Sequence, residues 1–145
     1  MKSAGEVALP CACANLRRAM RAVTQLYDGE LRGAGLRVTQ FTLLQALAAA
    51  GPIRQGHLGE ILALDSTTLT RTLRPLRKHG WVRGAHGADR RVRYWELTPA
   101  GRKQWREAQT HWERAQKRLR RKLGEAPWKE LEAMLGRVTQ AARGA

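Results

Sequence analysis

The chain has 145 residues, with 27 Lys and Arg against 12 Asp and Glu, for a formal net charge of +15. At 43% hydrophobic and 27% charged residues, it has the make-up of one globular domain, not of a disordered basic tail, and its most apolar stretch, residues 41–50, is about half a membrane span. A folded protein this basic attracts polyanions, nucleic acid first and an anionic membrane surface second.

The opening segment, MKSAGEVALPCACAN, has one Lys and no continuous apolar run, so no secretory signal is expected. Two cysteines in a reduced cytoplasm do not make a disulfide framework. A cytoplasmic protein is the expectation. Leu16, Met20, Val23, Tyr27 and Leu31 then repeat at spacings of 4, 3, 4 and 4, which predicts an amphipathic helix ended by Gly33 and Gly35. Thr39 is the expected cap of a second helix carrying Phe41, Leu43, Leu44 and Leu47, stopped by Gly51-Pro52. A short helix follows over Gln55–Leu62, with Leu58, Ile61 and Leu62 inward. Leu64-Asp65 breaks it, and Asp65 caps a further helix running to Lys78-His79-Gly80, with Leu69, Leu73 and Leu76 inward. Pro75 lies inside that helix and removes the bond to the Arg71 carbonyl. A kink or an early tightening is expected there, which bears on Arg77 and Lys78 more than on Thr67 or Arg71.

The period then changes. Residues 81–83 and 92–97 are rich in β-branched and aromatic residues and flank residues 84–89, which contain two glycines. This predicts a β-hairpin. Thr98-Pro99 starts a long helix in which Trp105, Ala108, Trp112, Ala115 and Leu119 repeat as 3-4-3-4, a seam for a partner helix. Gly124 ends it, and Pro127 opens a last helix striped with Trp128, Leu131, Leu135 and Val138.

A short helix, a tight turn and a polar-faced second helix make a helix-turn-helix, and the hairpin after it makes the unit winged. The expected fold is mainly α with a small β-hairpin wing. Residues 1–35 form an N-terminal helix, 36–98 the winged helix-turn-helix and 99–145 the C-terminal helices, all in one compact chain. The charge is densest where this unit lies. Residues 66–93 hold eight basic residues (Arg71, Arg74, Arg77, Lys78, Arg83, Arg90, Arg91, Arg93) and one acid, Asp89. Residues 114–122 hold six basic residues and no acid, which reads most simply as a solvated helix face.

Several residues of this unit follow a known pattern. Arg54-Gln55, Leu58, the run Leu64-Asp65-Ser66-Thr67-Thr68-Leu69-Thr70-Arg71, Leu73, Leu76 and Gly80-Trp81-Val82-Arg83 lead to Asp89-Arg90-Arg91 and Leu97-Thr98-Pro99-Ala100-Gly101. The stretch resembles the MarR family of bacterial transcription regulators over about two-thirds of the chain. The flanking helices agree in number and length. The resemblance implies a homodimer built by the terminal helices, so that 1–35 and 99–145 become dimerisation segments, and a pseudo-palindromic operator on double-stranded DNA. It also implies a regulator, most simply a repressor, whose operator affinity changes with a small ligand or with cysteine oxidation. No cofactor is required and no membrane partner is implied.

Groove chemistry assigns the same residues. A major groove admits one helix, and base edges are read by short polar side chains and bidentate arginines. Ser66, Thr67, Thr68 and Thr70 stand at the N-terminal end, where a recognition helix meets bases. Arg71 and Arg74 are long enough for guanine edges or phosphates. Arg90, Arg91 and Arg93 belong to the wing, and the first two sit beside its tip, where they could enter a narrow minor groove. By resemblance, Asp89 supports the wing by holding Arg91 through a charge-assisted bond.

Cys11 and Cys13 are the candidate redox or soft-metal residues. In an extended segment both thiols project to one side; in a helix they diverge by about 200°. Packing at a helix start, oxidant sensing and metal or metalloid binding all stand open. His57, His79, His86 and His111 share no ligand spacing and read as surface residues. Trp105, Trp112 and Trp128 read as core or dimer packing, with a pocket for an aromatic effector as the alternative. A regulator that senses through its thiols and a non-specific architectural nucleic-acid binder are the rival functions. No nucleophile triad, paired-carboxylate, P-loop or dinucleotide motif is present in the sequence, so no enzyme is expected.

Overall fold

The computed structural model describes residues 9–144; residues 1–8, on which the reading of the opening segment partly rests, and residue 145 lie outside the described residues. The elements are α1 (Ala12–Leu31), a 3-10 turn (Arg32–Ala34), α2 (Val38–Ala50), β1 (Ile53–Arg54), α3 (Gln55–Leu62), α4 (Ser66–Lys78), β2 (Val82–His86), β3 (Arg93–Leu97), α5 (Pro99–Leu123) and α6 (Glu125–Arg143). The fold is mainly helical with one small antiparallel sheet in the order β1-β3-β2. Among the described residues, no helix is long and apolar enough to cross a membrane.

The core gathers around α2. Phe41, Leu43, Leu44 and Leu47 are all buried, and α2 packs on α1, α4, α5 and β3. The Phe41 ring stacks on Trp112 of α5, with centroids 5.8 Å apart. Leu58 from α3, Leu69, Leu73 and Leu76 from α4, and Val82, Trp95 and Leu97 from the sheet complete one continuous cluster. Leu69, Leu73 and Leu76 lie on one stripe, so the opposite side of α4 remains free to carry polar and basic groups.

The helix-turn-helix follows from two backbone devices. At the end of α3, Ala63 adopts the left-handed conformation (φ +52°), and the N–H groups of Ala63 and Leu64 return to the carbonyls of Glu60 (3.3 Å) and Gly59 (2.9 Å). This is a Schellman ending with Ala where Gly is usual. Two residues later Asp65 caps α4, accepting the Thr68 backbone N–H at 2.8 Å. The chain has turned within three residues. A second Schellman ending closes α4, where Gly80 (φ +75°) bonds to Arg77 O and Trp81 to Leu76 O.

The segment after β3 is held just as locally. Thr98 donates its backbone N–H to Trp81 O (3.0 Å) and its hydroxyl to Gly80 O (2.5 Å), and accepts the Gly101 N–H (3.0 Å). A Cβ on Gly101 would stand 1.9 Å from Trp81 O, so only glycine lets α5 start this close to the wing.

Several expectations are corrected. Thr39 does not cap α2; the helix begins at Val38, where Gln40 Oε1 accepts the Arg37 N–H (2.9 Å) and Asp28 Oδ1 accepts the Val38 N–H (2.7 Å). β2 extends to His86, because residues 84–86 pair with Trp95, Tyr94 and Arg93, which leaves residues 87–92 as the loop. β1 joins the sheet through Ile53–Trp95 and Arg54–Tyr94 pairing, a third strand not anticipated. α6 starts at Glu125, with Pro127 in its first turn, where a missing N–H costs nothing. α4 runs through Pro75 to Lys78 without interruption; the tightening expected near Pro75 comes only at Gly80. Ile61 (54% exposed) and Leu135 (45%) face outward.

Candidate nucleic-acid interface

With its leucines turned inward, α4 exposes Thr67, Arg71, Arg74, Arg77 and Lys78 along its solvent side, with Ser66 exposed at its first turn. Thr68 and Thr70 are half-buried. The Thr68 hydroxyl is bonded to Asp65 Oδ2 at 2.7 Å, so it is partly spent on the cap. These bonds, the Thr68 N–H first and its hydroxyl next, hold the Asp65 carboxyl below the usual range.

The wing stands beside this surface. Arg90, Arg91 and Arg93 are exposed. Asp89 accepts the backbone N–H of Arg91 at 2.9 Å, and Val92 donates to Asp89 O at 3.1 Å. Among the described residues, Asp89 forms no ion pair with the Arg91 guanidinium. Asp89 therefore shapes the turn through the backbone and leaves the guanidinium free, a correction to the charge-assisted bond expected from the resemblance. At the wing's base, Arg83 and Glu96 pair across the strands at 2.6 Å.

An open cleft of about 1020 Å³ separates wing and helix. Of the expected site residues it brings together Ser66, Thr70, Arg91 and Arg93. Thr67, Arg71 and Arg74 extend the same surface along α4, while Arg90 lies at the wing outside the cleft lining. The cleft also contains Arg54, Gln55 and His57, which the sequence reading did not count as contacts. Arg54 donates from Nε to the Tyr94 hydroxyl (3.1 Å), a bond that holds its guanidinium above its ordinary value. Its position directly before a short helix rich in polar residues was the available signal. Glu60 is the acid in a lining that otherwise carries Arg54, Arg91 and Arg93. The surface as a whole presents fixed positive charge, hydroxyl groups and a protruding hairpin, the chemistry that phosphates and base edges accept.

Cys11 and Cys13 are elsewhere, both free and exposed at the start of α1. Cys11 is extended at the cap position and Cys13 is inside the first turn, so neither the extended nor the helical alternative describes the pair. Among the described residues, no group of three or more His, Cys, Asp or Glu could hold a metal ion. His57, His79 and His86 are exposed, but His111 is half-buried, with Nδ1 3.0 Å from Glu30 O. Trp128 is buried, and Trp105 and Trp112 pack against the core. Among the described residues, the buried Trp105 indole N–H has no hydrogen-bond partner.

Comparison with known proteins converges on one family. Residues 34–92 match the model of the MarR family. The transcriptional regulator MosR of M. tuberculosis, solved in complex with DNA, is 34% identical and superposes with a TM-score of 0.85, covering 92% of this chain and 97% of its own. An uncharacterized HTH-type transcriptional regulator, YwoH, of Bacillus subtilis is 28% identical over 92 residues, which is 63% of this chain and 67% of that protein. A mutant MarR from E. coli complexed with operator DNA shares the fold at 23% identity, with a TM-score of 0.78 and 86% and 91% of the two chains covered. These relatives are regulators, not enzymes. With its helix-turn-helix, its wing and its similarity to MosR over 92% of its residues, the chain belongs to the MarR family of winged helix-turn-helix transcription regulators.

Proposed function

We propose that the protein is a homodimeric, sequence-specific DNA-binding regulator of the cytoplasm, a repressor that needs no cofactor and whose operator affinity is changed by a small ligand. One observation carries the DNA reading: Ser66 and Thr70 of α4 border the same open cleft as Arg91 and Arg93 of the wing, and Thr67, Arg71 and Arg74 are exposed along the same helix. Ser66, Thr67 and Arg71 then meet base edges in the major groove, Arg74 meets bases or phosphates, and Arg90 and Arg91 follow the adjoining minor groove. MosR and the E. coli MarR mutant were both solved with DNA, which supports the same use here. Residues 1–35 and 99–145 supply the dimer, and a pseudo-palindromic operator offers each winged unit one half-site.

The test is competition between a fragment of the protein's own promoter and random duplex at fixed salt. Sequence-specific binding favours the promoter; equal competition means an architectural binder. Arg71→Ala is expected to cost about 1–3 kcal/mol and to relax preference at one operator position, and Arg91→Ala to weaken binding and flatten its salt slope. If both bind as wild type does, these contacts are misassigned.

A second reading of the response rests on the two exposed thiols of Cys11 and Cys13 at the start of α1. Operator affinity measured with and without peroxide, Zn²⁺ or trivalent arsenic, in wild type and in the double Cys→Ser variant, tests it. Affinity unchanged in every condition would sink it.

A further inference from the structure

Three side chains from three elements form one hydrogen-bonded chain beside the cleft. The Trp95 indole on β3 donates from Nε1 to Gln55 Oε1 (3.0 Å), and Gln55, at the start of α3, donates from Nε2 to Thr70 Oγ1 on α4 (3.2 Å). The direction of these bonds is dictated by chemistry. An indole N–H can only donate, so it faces the amide oxygen of Gln55 and turns the amide nitrogen toward Thr70. That nitrogen also can only donate. The Thr70 oxygen therefore accepts, and its own proton points elsewhere. Thr42, Thr72 and Thr139 give their hydroxyl protons to the carbonyl one turn back. Among the described residues Thr70 makes no such bond, and it lines the cleft with Ser66 and Arg91.

We propose that this chain of bonds makes Thr70 a hydrogen-bond donor toward bound DNA, with Gln55 as the positioning residue that sets what Thr70 can recognise. The inference rests on the DNA-binding reading above. The DNA partner is an acceptor atom, either a phosphate oxygen or an acceptor edge such as purine N7, guanine O6 or thymine O4, and not the amino group of cytosine. The same bonds tie wing to helix, because Trp95 lies on β3 and Thr70 on α4. Gln55 thus couples the placement of the wing to the donor it orients.

A double-mutant cycle separates this role from packing. Gln55→Glu keeps the size of the side chain and its acceptor for the Trp95 indole, but a carboxylate cannot donate to Thr70 and instead takes the Thr70 proton. The full-length protein is used, with the duplex that wild type selects from a randomised library. Thr70→Val is expected to weaken binding about fivefold to thirtyfold in the wild-type background. Combined with Gln55→Glu it should weaken binding less than about twofold further, because the proton is already withdrawn. Thr70→Ser, which restores the hydroxyl, should recover most of the loss. Unfolding midpoints of all variants, measured alongside, separate a lost contact from a lost fold. Four modified duplexes then identify the acceptor: 7-deazapurines remove base N7, 2-aminopurine in place of guanine removes O6, 5-methyl-2-pyrimidinone in place of thymine removes O4, and methylphosphonates remove phosphate oxygens. At one position per half-site, one of them should abolish the difference between wild type and Thr70→Val. An equal Thr70→Val loss in both backgrounds, or a difference that survives every modified duplex, would overturn the proposal. Failure of wild type to select any sequence would instead overturn the regulator reading on which it rests.

Discussion

At the scale of single residues, the turn of the helix-turn-helix carries a correctable strain. Ala63 has φ +52° and ψ +41°, a conformation that places Cβ near the following carbonyl oxygen and costs an alanine about 1–2 kcal/mol. The Schellman bonds to Gly59 and Glu60 hold it there. Ala63→Gly is therefore expected to raise stability by about 0.5–1 kcal/mol, the loss of backbone entropy taking back part of the gain; a higher urea midpoint at unchanged slope would show it. Gly59→Ala should do the reverse, because its Cβ would stand 2.9 Å from Leu64 O, inside the same turn. Asp65, which starts α4, adds a pH dependence. Its folded carboxyl titrates below the ordinary value, so its stabilisation is complete above the unfolded carboxylate pKa and is lost as pH falls through the folded one. Asp65→Asn keeps a capping oxygen without the titration, so the fall in unfolding midpoint on acidification should be shallower in that variant. Asp65 was legible in the sequence because a cap acts on its own neighbours. Thr39 misled because α2 is started by Gln40 and by Asp28, ten residues upstream. Gln55 was invisible as a linker because Trp95 comes 40 residues later.

At the scale of elements, the helices and the hairpin were readable, whereas the third strand and the limits of β2 were not. A buried leucine every three or four residues marks α4 by itself, whereas the two residues of β1 cannot show an alternation. β1 exists through its pairing with β3. The limits of β2 were missed for a related reason. Residues 84–86 look like loop by composition but are held extended by the register with β3. The junction of sheet and α5 shows why the Leu-Thr-Pro-Ala-Gly run has that form. Thr98 clamps Gly80 and caps α5 at once, and Gly101 admits the Trp81 carbonyl. Gly101→Ala is expected to cost about 2–3 kcal/mol, since backbone meets backbone and neither side can rotate away; chemical denaturation measures it. The wing yields a sharper comparison. Asp89 serves through the Arg91 backbone, a bond that asparagine also makes in such turns. Asp89→Asn should thus bind DNA nearly as wild type does, and Asp89→Ala about fivefold more weakly. Equal losses in both would restore the charge-assisted role for the carboxylate.

At the scale of the whole molecule, what is left uncovered tells how two copies would meet. Leu16 and Met20 on α1 are 41% and 59% exposed, and Leu123, Met134 and Leu135 at the other end are 41%, 50% and 45% exposed. Both α1 and α6 pack on α5 within the chain, and Leu16, Met20, Met134 and Leu135 are exposed on α1 and α6. Exposed apolar side chains are the mark of an association surface where they form a contiguous patch, and α1 and α6 are where such a patch would lie. Charge argues for the same placement. Residues 114–122 of α5 carry six cations, of which Arg118 and Arg120 reach Glu30 and Glu125, so two copies meeting on that stretch would repel. A dimer joined through the apolar faces of α1 and α6 avoids it. Met20→Glu combined with Leu135→Glu is therefore expected to give a folded monomer by sedimentation, because neither side chain contributes to the core. The monomer loses the second half-site, and with it the effective concentration that links the two winged units, so operator affinity should fall about 100-fold or more. Binding to random duplex, which depends on phosphate contacts alone, should fall far less. Ile61→Glu on α3, which also places an acid at an exposed apolar position, should leave the sedimentation unchanged. If the α1/α6 double variant still sediments as a dimer, the interface lies elsewhere. If it is monomeric yet holds the operator as wild type does, the two winged units do not bind as a linked pair.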